Sequence, residues 1–413
     1  ITLITGFVAG SYPAFYLSAF EPVDTLKGEA KSGKSQFTLR SFLVVSQFTI
    51  SIVLLIGVGV VRDQLNYVKT QDLGFDDHRV LVLPTSDEMV ANYESVKTTL
   101  LQNPGITGVS LSSRVPSGRL LDSQGARAEV GDEMKQINFR IADVHTDHDF
   151  LKTLNIPVVA GRDFDASIAS DSTEAFIINE AAVAGIGWNS NDQAIGKKFN
   201  YGGQDGYITG VVKDFHFESL HQEIAPVVFL ITKGRSRNLV VKLAPDQVDA
   251  TMSFLQEQWA YLRPGYPFSS YFLDVRFDEQ YANEDRLAQL VSYFSILAIH
   301  IGMLGLFGLA SFTAEQRFKE IGIRKVMGAS VMEILTLLTK GFTKLVFIGY
   351  LIAIPISIYL MNAWLDTFAY HGVVRWSTIL LAGVAAIVFA WITVGFQIIK
   401  AARSNPIDSI QHE

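Results

Sequence analysis

Apolar positions along this chain follow two regimes. In the first they run on without a charge: residues 1–20, 42–61, 288–313, 345–364 and 376–399 contain no Asp, Glu, Lys or Arg. A helix of about 20 apolar residues crosses the ~30 Å hydrocarbon layer of a bilayer. One such run could be a buried core helix, but five are not explained that way. In the second regime, between 62 and 289, short alternating or continuous apolar runs are broken by Gly, Pro and Asp. Runs at 80–83, 155–160, 175–179, 207–212, 227–232 and 239–243 predict strands, and 88–102 and 246–262 predict helices. The pattern thus predicts a membrane α-helical bundle plus an α+β extracytoplasmic domain with two lobes. Polar helical segments at 62–70 and 277–290 would join the two as stalks.

Charge sets the orientation. The insert 62–289 holds 21 Lys+Arg and 32 Asp+Glu (21 − 32 = −11), and the rest holds 13 and 9 (13 − 9 = +4). Basic residues gather at Lys27, Lys31, Lys34 and Arg40, at Arg317, Lys319, Arg324 and Lys325, and at Lys400 and Arg403, whereas 365–375 has only Arg375. Basic flanks stay cytoplasmic, which places the acidic insert outside. The expected order has a membrane helix at 1–20 closing a preceding module, then a cytoplasmic linker at 21–41 and a membrane helix at 42–61. The outer domain with its stalks follows at 62–289, then a membrane helix at 288–313 and a cytoplasmic segment at 314–340. Membrane helices at 341–364 and 376–399 flank a short outer loop at 365–375, and 400–413 is a cytoplasmic tail. With no cysteine, the outer domain has no disulfide framework.

Two eight-residue endings match: PVDTLKGE at 22–29 and PIDSIQHE at 406–413, each following a long apolar run. They suggest two copies of one module, with the chain opening inside the last helix of the first. Gly302, Gly305 and Gly308 form a small-residue stripe in the third run, suited either to a dimer seam or to packing within the chain.

Several motifs suggest chemistry. Gly28, Gly33, Lys34 and Ser35 spell a P-loop, but an apolar span precedes them instead of the strand the motif needs, so they read as a basic linker. In DVHTDHDF, a strand would align His145, Asp147 and Asp149 as carboxylate and imidazole groups, yet the run reads mainly as a solvated acidic loop. In KDFHFESLH (213–221), Phe215 and Phe217 point to a turn anchored in the core rather than to an acid–base site. No catalytic, cofactor or metal residues are assigned. The segment AEQRFKEIGIRKVMGAS (314–330) stands apart. Arg317, Glu320 and Arg324 share a helical face, Glu320 precedes Arg324 by four residues, Phe318 and Ile321 are apolar, and Gly328 ends the helix. It is either a helix that passes force from a cytoplasmic partner or a basic loop.

EIGIRKVMGAS (320–330) resembles the cytoplasmic segment of the FtsX/MacB superfamily of ABC-transporter permeases. LRSFLVVSQFTISIVLLIG (39–57), DFLKTLNIPVVAGRDF (149–164), IINEAAV (177–183), GVVKDFHFESLH (210–221) and NPIDSI (405–410) fit the same family, in particular its two-module, eight-span permeases. The resemblance implies a MacB-like periplasmic domain and a bacterial inner-membrane location. It also implies a coupling helix, carried by Arg317, Glu320, Ile321, Gly322, Arg324, Lys325 and Gly328, that contacts a separate cytoplasmic ABC ATPase, itself a dimer. The chain itself would not hydrolyse ATP. Its partners would be that ATPase, the preceding permease module, the lipid bilayer and a periplasmic partner or substrate. Its function would be mechanotransmission in efflux or export. Regulation of cell-wall hydrolases, lipoprotein release, and membrane sensing or binding are the alternatives.

Overall fold

The computed structural model describes residues 34–232, 234–317, 320, 322–324 and 327–403. The expected span 1–20, the matching endings and Gly28 and Gly33 of the P-loop spelling lie outside the described residues; Lys34 and Ser35 open a helix. Six described helices have nine residues or more: α1 (Lys34–Thr70), α2 (Tyr93–Leu101), α3 (Val248–Leu262), α4 (Ala282–Gln316), α5 (Val331–Leu365) and α6 (Trp376–Arg403). Two compact units emerge. One takes the chain up to Ile56, Tyr293–Ser357 and the chain from Trp376; the other takes Gly57–Ser292 and Ile358–Arg375.

In the first unit the helices are long and apolar enough to cross a membrane, and four described stretches qualify: Ser41–Thr70, Leu273–Thr313, Leu335–Leu365 and Trp376–Phe396. At 1.5 Å per residue, the 37 residues of α1 extend ~55 Å, well beyond a ~30 Å hydrocarbon layer. Their large apolar side chains, such as Leu304, Leu351, Leu381 and Phe396, are exposed, as lipid contact requires. Close packing depends on small residues. A Cβ on Gly349 would lie 3.1 Å from the Val45 carbonyl oxygen and 3.3 Å from the Thr49 nitrogen, while the Thr49 hydroxyl donates to Val45 O and Gly349 O. Of the glycine stripe, Gly302 faces Phe48 and Gly305 faces Gln47, both on α1, whereas Gly308 has open space around it. Packing within the chain therefore accounts for two of the three.

In the second unit, the insert domain, twelve strands form one sheet: β1 (Val80–Pro84), β2 (Ile106–Ser112), β3 (Ala126–Val130), β4 (Glu133–Gln136), β5 (Ala142–Thr146), β6 (Val158–Gly161), β7 (Ala175–Asn179), β8 (Lys198–Tyr201), β9 (Gln204–Val212), β10 (Val227–Ile231), β11 (Asn238–Leu243) and β12 (Tyr271–Phe272). Their order is β12-β1-β11-β2-β5-β10-β7-β9-β8-β3-β4, with β6 on β9. The pairs β5–β10 and β7–β9 are parallel and the others antiparallel. β5, β7 and β10 are buried throughout, which is why β7 and β10 read as unbroken apolar runs. Alternate residues divide between the faces. Val227, Phe229 and Ile231 join one cluster with Val82, Val144, Phe215 and Tyr281. On the other face Val228 and Leu230 pack with Phe176 and Phe199, and a further cluster joins Leu81 and Val241 to Val96 of α2 and Trp259 of α3. All twelve strands thus belong to one sheet.

Gly349→Val should cost about 1–3 kcal/mol through overpacking against the α1 backbone, whereas Gly308→Val should stay within about 0.5 kcal/mol. Denaturant titration of both variants in lipid nanodiscs checks the contrast.

Candidate functional site

The segment between α4 and α5 is a compact turn. Arg317 follows the last turn of α4, its amide donating to Thr313 O at 3.1 Å, and its side chain is exposed. A short helical piece then carries Glu320, Gly322 and Arg324. Glu320 Oε1 and Arg324 Nη2 lie 2.8 Å apart on the exposed surface, four residues apart in sequence, while Gly322 is buried. Gly328 ends the piece at φ +90°, a conformation that costs a side-chain-bearing residue but not glycine. The Ala329 amide donates to Arg324 O at 2.9 Å, the six-to-one bond of a glycine-terminated helix end. One residue later, Ser330 opens α5 with a reciprocal cap: its amide donates to Glu333 Oε2 at 2.8 Å, and the Glu333 amide donates to Ser330 Oγ at 3.2 Å. These bonds hold the end of the helical piece and the start of α5. Ile323, Met327 and Met332 are 58%, 82% and 67% exposed, beside Arg317 and Arg324. Of the expected residues, Ile321 and Lys325, with Phe318, lie outside the described residues. Ile323 and Met327 were missed by sequence reasoning, although their spacing of four on a helix was the available signal.

A second construction lies in the insert domain. The core anchoring expected of KDFHFESLH is present: Phe215, Phe217 and Leu220 are buried, and Phe215 packs edge-on against Phe75. The His216 amide donates to Leu73 O at 2.8 Å beside Gly74, where a Cβ would come within 2.8 Å of Phe215 Cβ. The segment also gathers other parts of the unit. Leu220 receives a bond from the Tyr370 amide (3.1 Å) and donates its own amide to the Tyr281 hydroxyl (2.8 Å). His221 stacks on Phe368 at 4.0 Å and lies 3.3 Å from Glu284 of α4. Gln64 of α1, 2% exposed, accepts from the Gly372 amide at 2.9 Å and donates to Tyr370 O at 3.3 Å. His216 stands edge-on to Tyr370, and burial holds its imidazole below the usual range, hence neutral at physiological pH. The end of α1, the start of α4 and the loop before α6 are thereby knotted to one turn of the sheet domain.

Parts of the chain are similar to known proteins. Residues 292–406, which include the turn, match the family described as FtsX-like permease C-terminal. Two macrolide export ATP-binding/permease proteins MacB, from Bartonella quintana and Bartonella henselae, are each 23% identical over 266 and 267 residues, 61% of this chain. These matches fit the FtsX/MacB superfamily. It spans 37% of the length of those relatives. Among solved structures, the periplasmic region of MacB from Actinobacillus actinomycetemcomitans aligns at TM-score 0.35 with 15% identity, covering 50% of this chain and 94% of that one. The extracellular domain of YknZ, a noncanonic ABC-type transporter from Gram-positive bacteria, aligns at 0.31 with 17% identity, covering 46% and 96%.

The DVHTDHDF motif is not the solvated loop expected from its charges, and the expected face of His145, Asp147 and Asp149 does not form. β5 ends at Thr146, so His145 shares a buried face with Asp143 instead. His145 Nε2 and Asp143 Oδ2 are 2.9 Å apart, the Tyr201 hydroxyl lies 3.0 Å from Asp143 Oδ1, and Thr232 Oγ1 lies 2.9 Å from His145 Nδ1. Asp143 and His145 thus satisfy each other together with Tyr201 and Thr232, which makes the burial of these two residues tolerable. Beyond the strand, Asp147 receives the Tyr93 hydroxyl and the Asp149 amide, while Lys97 pairs with Asp149. Burial, opposed by the Tyr93 hydrogen bond, pushes the Asp147 carboxyl up to about 7. No group of three or more His, Asp or Glu able to hold a metal occurs among the described residues.

Two outcomes follow. Replacing Gln64 by Leu leaves the Gly372 amide and Tyr370 carbonyl unpaired, so it should cost about 1–3 kcal/mol and speed exchange of the Gly372 amide in hydrogen-exchange mass spectrometry. Asp147, with its folded pKa raised above 3.8, favours the proton-bound fold, so its ionisation destabilises the fold increasingly as pH rises from about 4 through about 7. Asp147→Asn keeps an acceptor for Tyr93 and removes that cost. It should melt higher than the parent at pH 8, by on the order of 1 kcal/mol, with the gap closing toward pH 4.

Proposed function

We propose that this chain is the non-hydrolytic permease part of an ABC transporter in a bacterial inner membrane, with the insert domain in the periplasm. The single observation that carries the reading is the capped, basic segment between α4 and α5: Ile323, Met327 and Met332 are exposed, as are Arg317 and Arg324, outside the membrane-length stretches. Exposed apolar contacts rimmed by charge suit a protein partner. Basic residues at the turn and an insert of net charge −11 support a cytoplasmic turn and an outer insert.

In this account the partner is a dimeric cytoplasmic ABC ATPase that engages Arg317, Glu320, Ile321, Gly322, Arg324, Lys325 and Gly328, together with Ile323 and Met327. The capped turn passes displacement to α4 and α5, because its hydrogen bonds leave it little freedom to bend. Helices α1 and α4 each form one unbroken element, so displacement along them reaches the knot around Leu220 and moves the sheet domain. Work would then be done in the periplasm, on a substrate or partner there, with the preceding permease module as the other half of the machine. The two MacB relatives are exporters by name, which supports efflux or export as the direction.

Ile323→Asp combined with Met327→Asp should lower ATPase retention on the purified complex about tenfold or more while leaving the melting temperature of the chain alone unchanged, because both side chains are exposed. Gly322→Pro should abolish ATPase stimulation with membrane insertion intact. ATPase binding and stimulation unchanged in both variants would end the coupling reading.

A further inference from the structure

A cavity of about 570 Å³ opens in the insert domain where β5 and β10 begin, walled by the segments around Leu120, His221 and Phe368. Its volume is that of a small-molecule site. Its place in the chain puts one wall beside a bilayer. Leu335–Leu365 and Trp376–Phe396 are each long and apolar enough to cross a membrane, so the loop 366–375 between them stays at the membrane surface. Trp364 and Trp376 flank that loop, as residues of an interfacial belt do. Asp366, Phe368 and Ala369 of the loop line the cavity, which sets this wall at the level of lipid headgroups.

Charges of both signs line the cavity without cancelling one another: Arg119 and Arg140 on one hand, Glu218, Glu223 and Asp366 on the other. Among the described residues, Arg119, Arg140, Glu218 and Glu223 take part in no ion pair, and Asp366 only in a long one, 3.9 Å from His371 Nε2. Two of the five are held in place by a single residue. The amide of buried Leu120 donates to Glu218 Oε1, and its carbonyl accepts from Arg140 Nη2. Backbone bonds thus set a carboxylate and a guanidinium side by side, and each keeps most of its hydrogen-bonding capacity. Arg119, Glu223 and Asp366 are exposed around them. A purely anionic ligand would meet three carboxylates here, and a purely cationic one two guanidiniums. A zwitterion can place each of its charges on the opposite sign.

We propose that this cavity holds the headgroup of a zwitterionic aminophospholipid of the phosphatidylethanolamine class, whose acyl chains stay in the bilayer. The phosphate sits on Arg119 and Arg140, and the ammonium on Glu218, Glu223 and Asp366. Guanidinium N–H groups match phosphate oxygens. A primary ammonium donates hydrogen bonds to carboxylates, which a choline nitrogen cannot do. The proposal rests on the long helices crossing a bilayer and needs no ATPase, so its failure would leave the coupling reading untouched.

The test is native mass spectrometry of the delipidated full chain in a non-ionic detergent. Dioleoyl phosphatidylethanolamine, phosphatidylcholine and phosphatidylglycerol are added in equal amounts. The expected result is one bound phosphatidylethanolamine, preferred about fivefold or more over each of the others. Arg119→Gln combined with Glu223→Gln should weaken it about tenfold, because one attractive charge is lost at each end of the headgroup. Both side chains are exposed and free of ion pairs, so the melting temperature should not move. Ala369→Trp, at another exposed lining position, should fill the cavity and abolish the bound lipid. Free phosphoethanolamine should displace the lipid only at about a hundredfold excess or more, since it lacks the chains that hold the headgroup at the membrane surface. Equal occupancy by the three lipids, or a preference for phosphatidylglycerol, overturns the proposal. So does undiminished binding in either variant. Displacement by phosphoethanolamine at equal concentration overturns the lipid as the source and leaves a soluble zwitterion in its place.

Discussion

The insert domain depends on one buried exchange of hydrogen bonds: Gln64 with Tyr370 and Gly372, and Leu220 with Tyr370 and Tyr281. Each backbone group would cost free energy if left unpaired away from water, so the loop before α6 is held in a defined place by polar necessity as well as by apolar burial. Phe368, Tyr281 and His221 close around these bonds as a stack of rings. What distinguishes this knot from an ordinary core contact is its composition. The membrane-length helices α1 and α4 and the segment leading from α5 to α6 each contribute, and the sheet contributes the turn 214–221.

The same economy recurs in the turn after α4. The turn after α4 is stabilised by backbone and capping bonds, so its apolar residues Ile323 and Met327 are free to face outward. Rigid ends joined by continuous helices are what a force-transmitting account requires, because compliance at either end would dissipate displacement. Low polarity within the long helices fits the same view, in which work is transmitted along the spans rather than solute carried between them.

Much of this was readable in the sequence where local physics decides. Charge-free runs marked the long helices, and unbroken apolar runs marked β7 and β10 because both of their faces are buried. The anchoring of 214–221 followed from Phe215 and Phe217. Other parts depended on partners far away in the chain. The run 88–102 breaks at Asn92 into two helices, a detail its periodicity does not carry. DVHTDHDF was misjudged because charged residues suggest exposure, while Asp143 and His145 are buried by pairing with each other, with Tyr201 at hand from β8. The knot joins Gln64 to Gly372, 308 residues apart, a contact no local pattern announces. The turn after α4 was legible at Gly328 and at the Glu320–Arg324 spacing, but the exposure of Ile323 and Met327 needed the structure.

The most direct test of the central claim is site-specific photo-crosslinking in cells. A benzoylphenylalanine placed at Met327, 82% exposed, reports what touches the turn, and one at Tyr261, 74% exposed on α3, reports what touches the insert domain. The account predicts an ABC ATPase crosslinked from Met327 and none from Tyr261. Crosslinking of an ATPase from Tyr261, or failure to capture one from Met327, would contradict it.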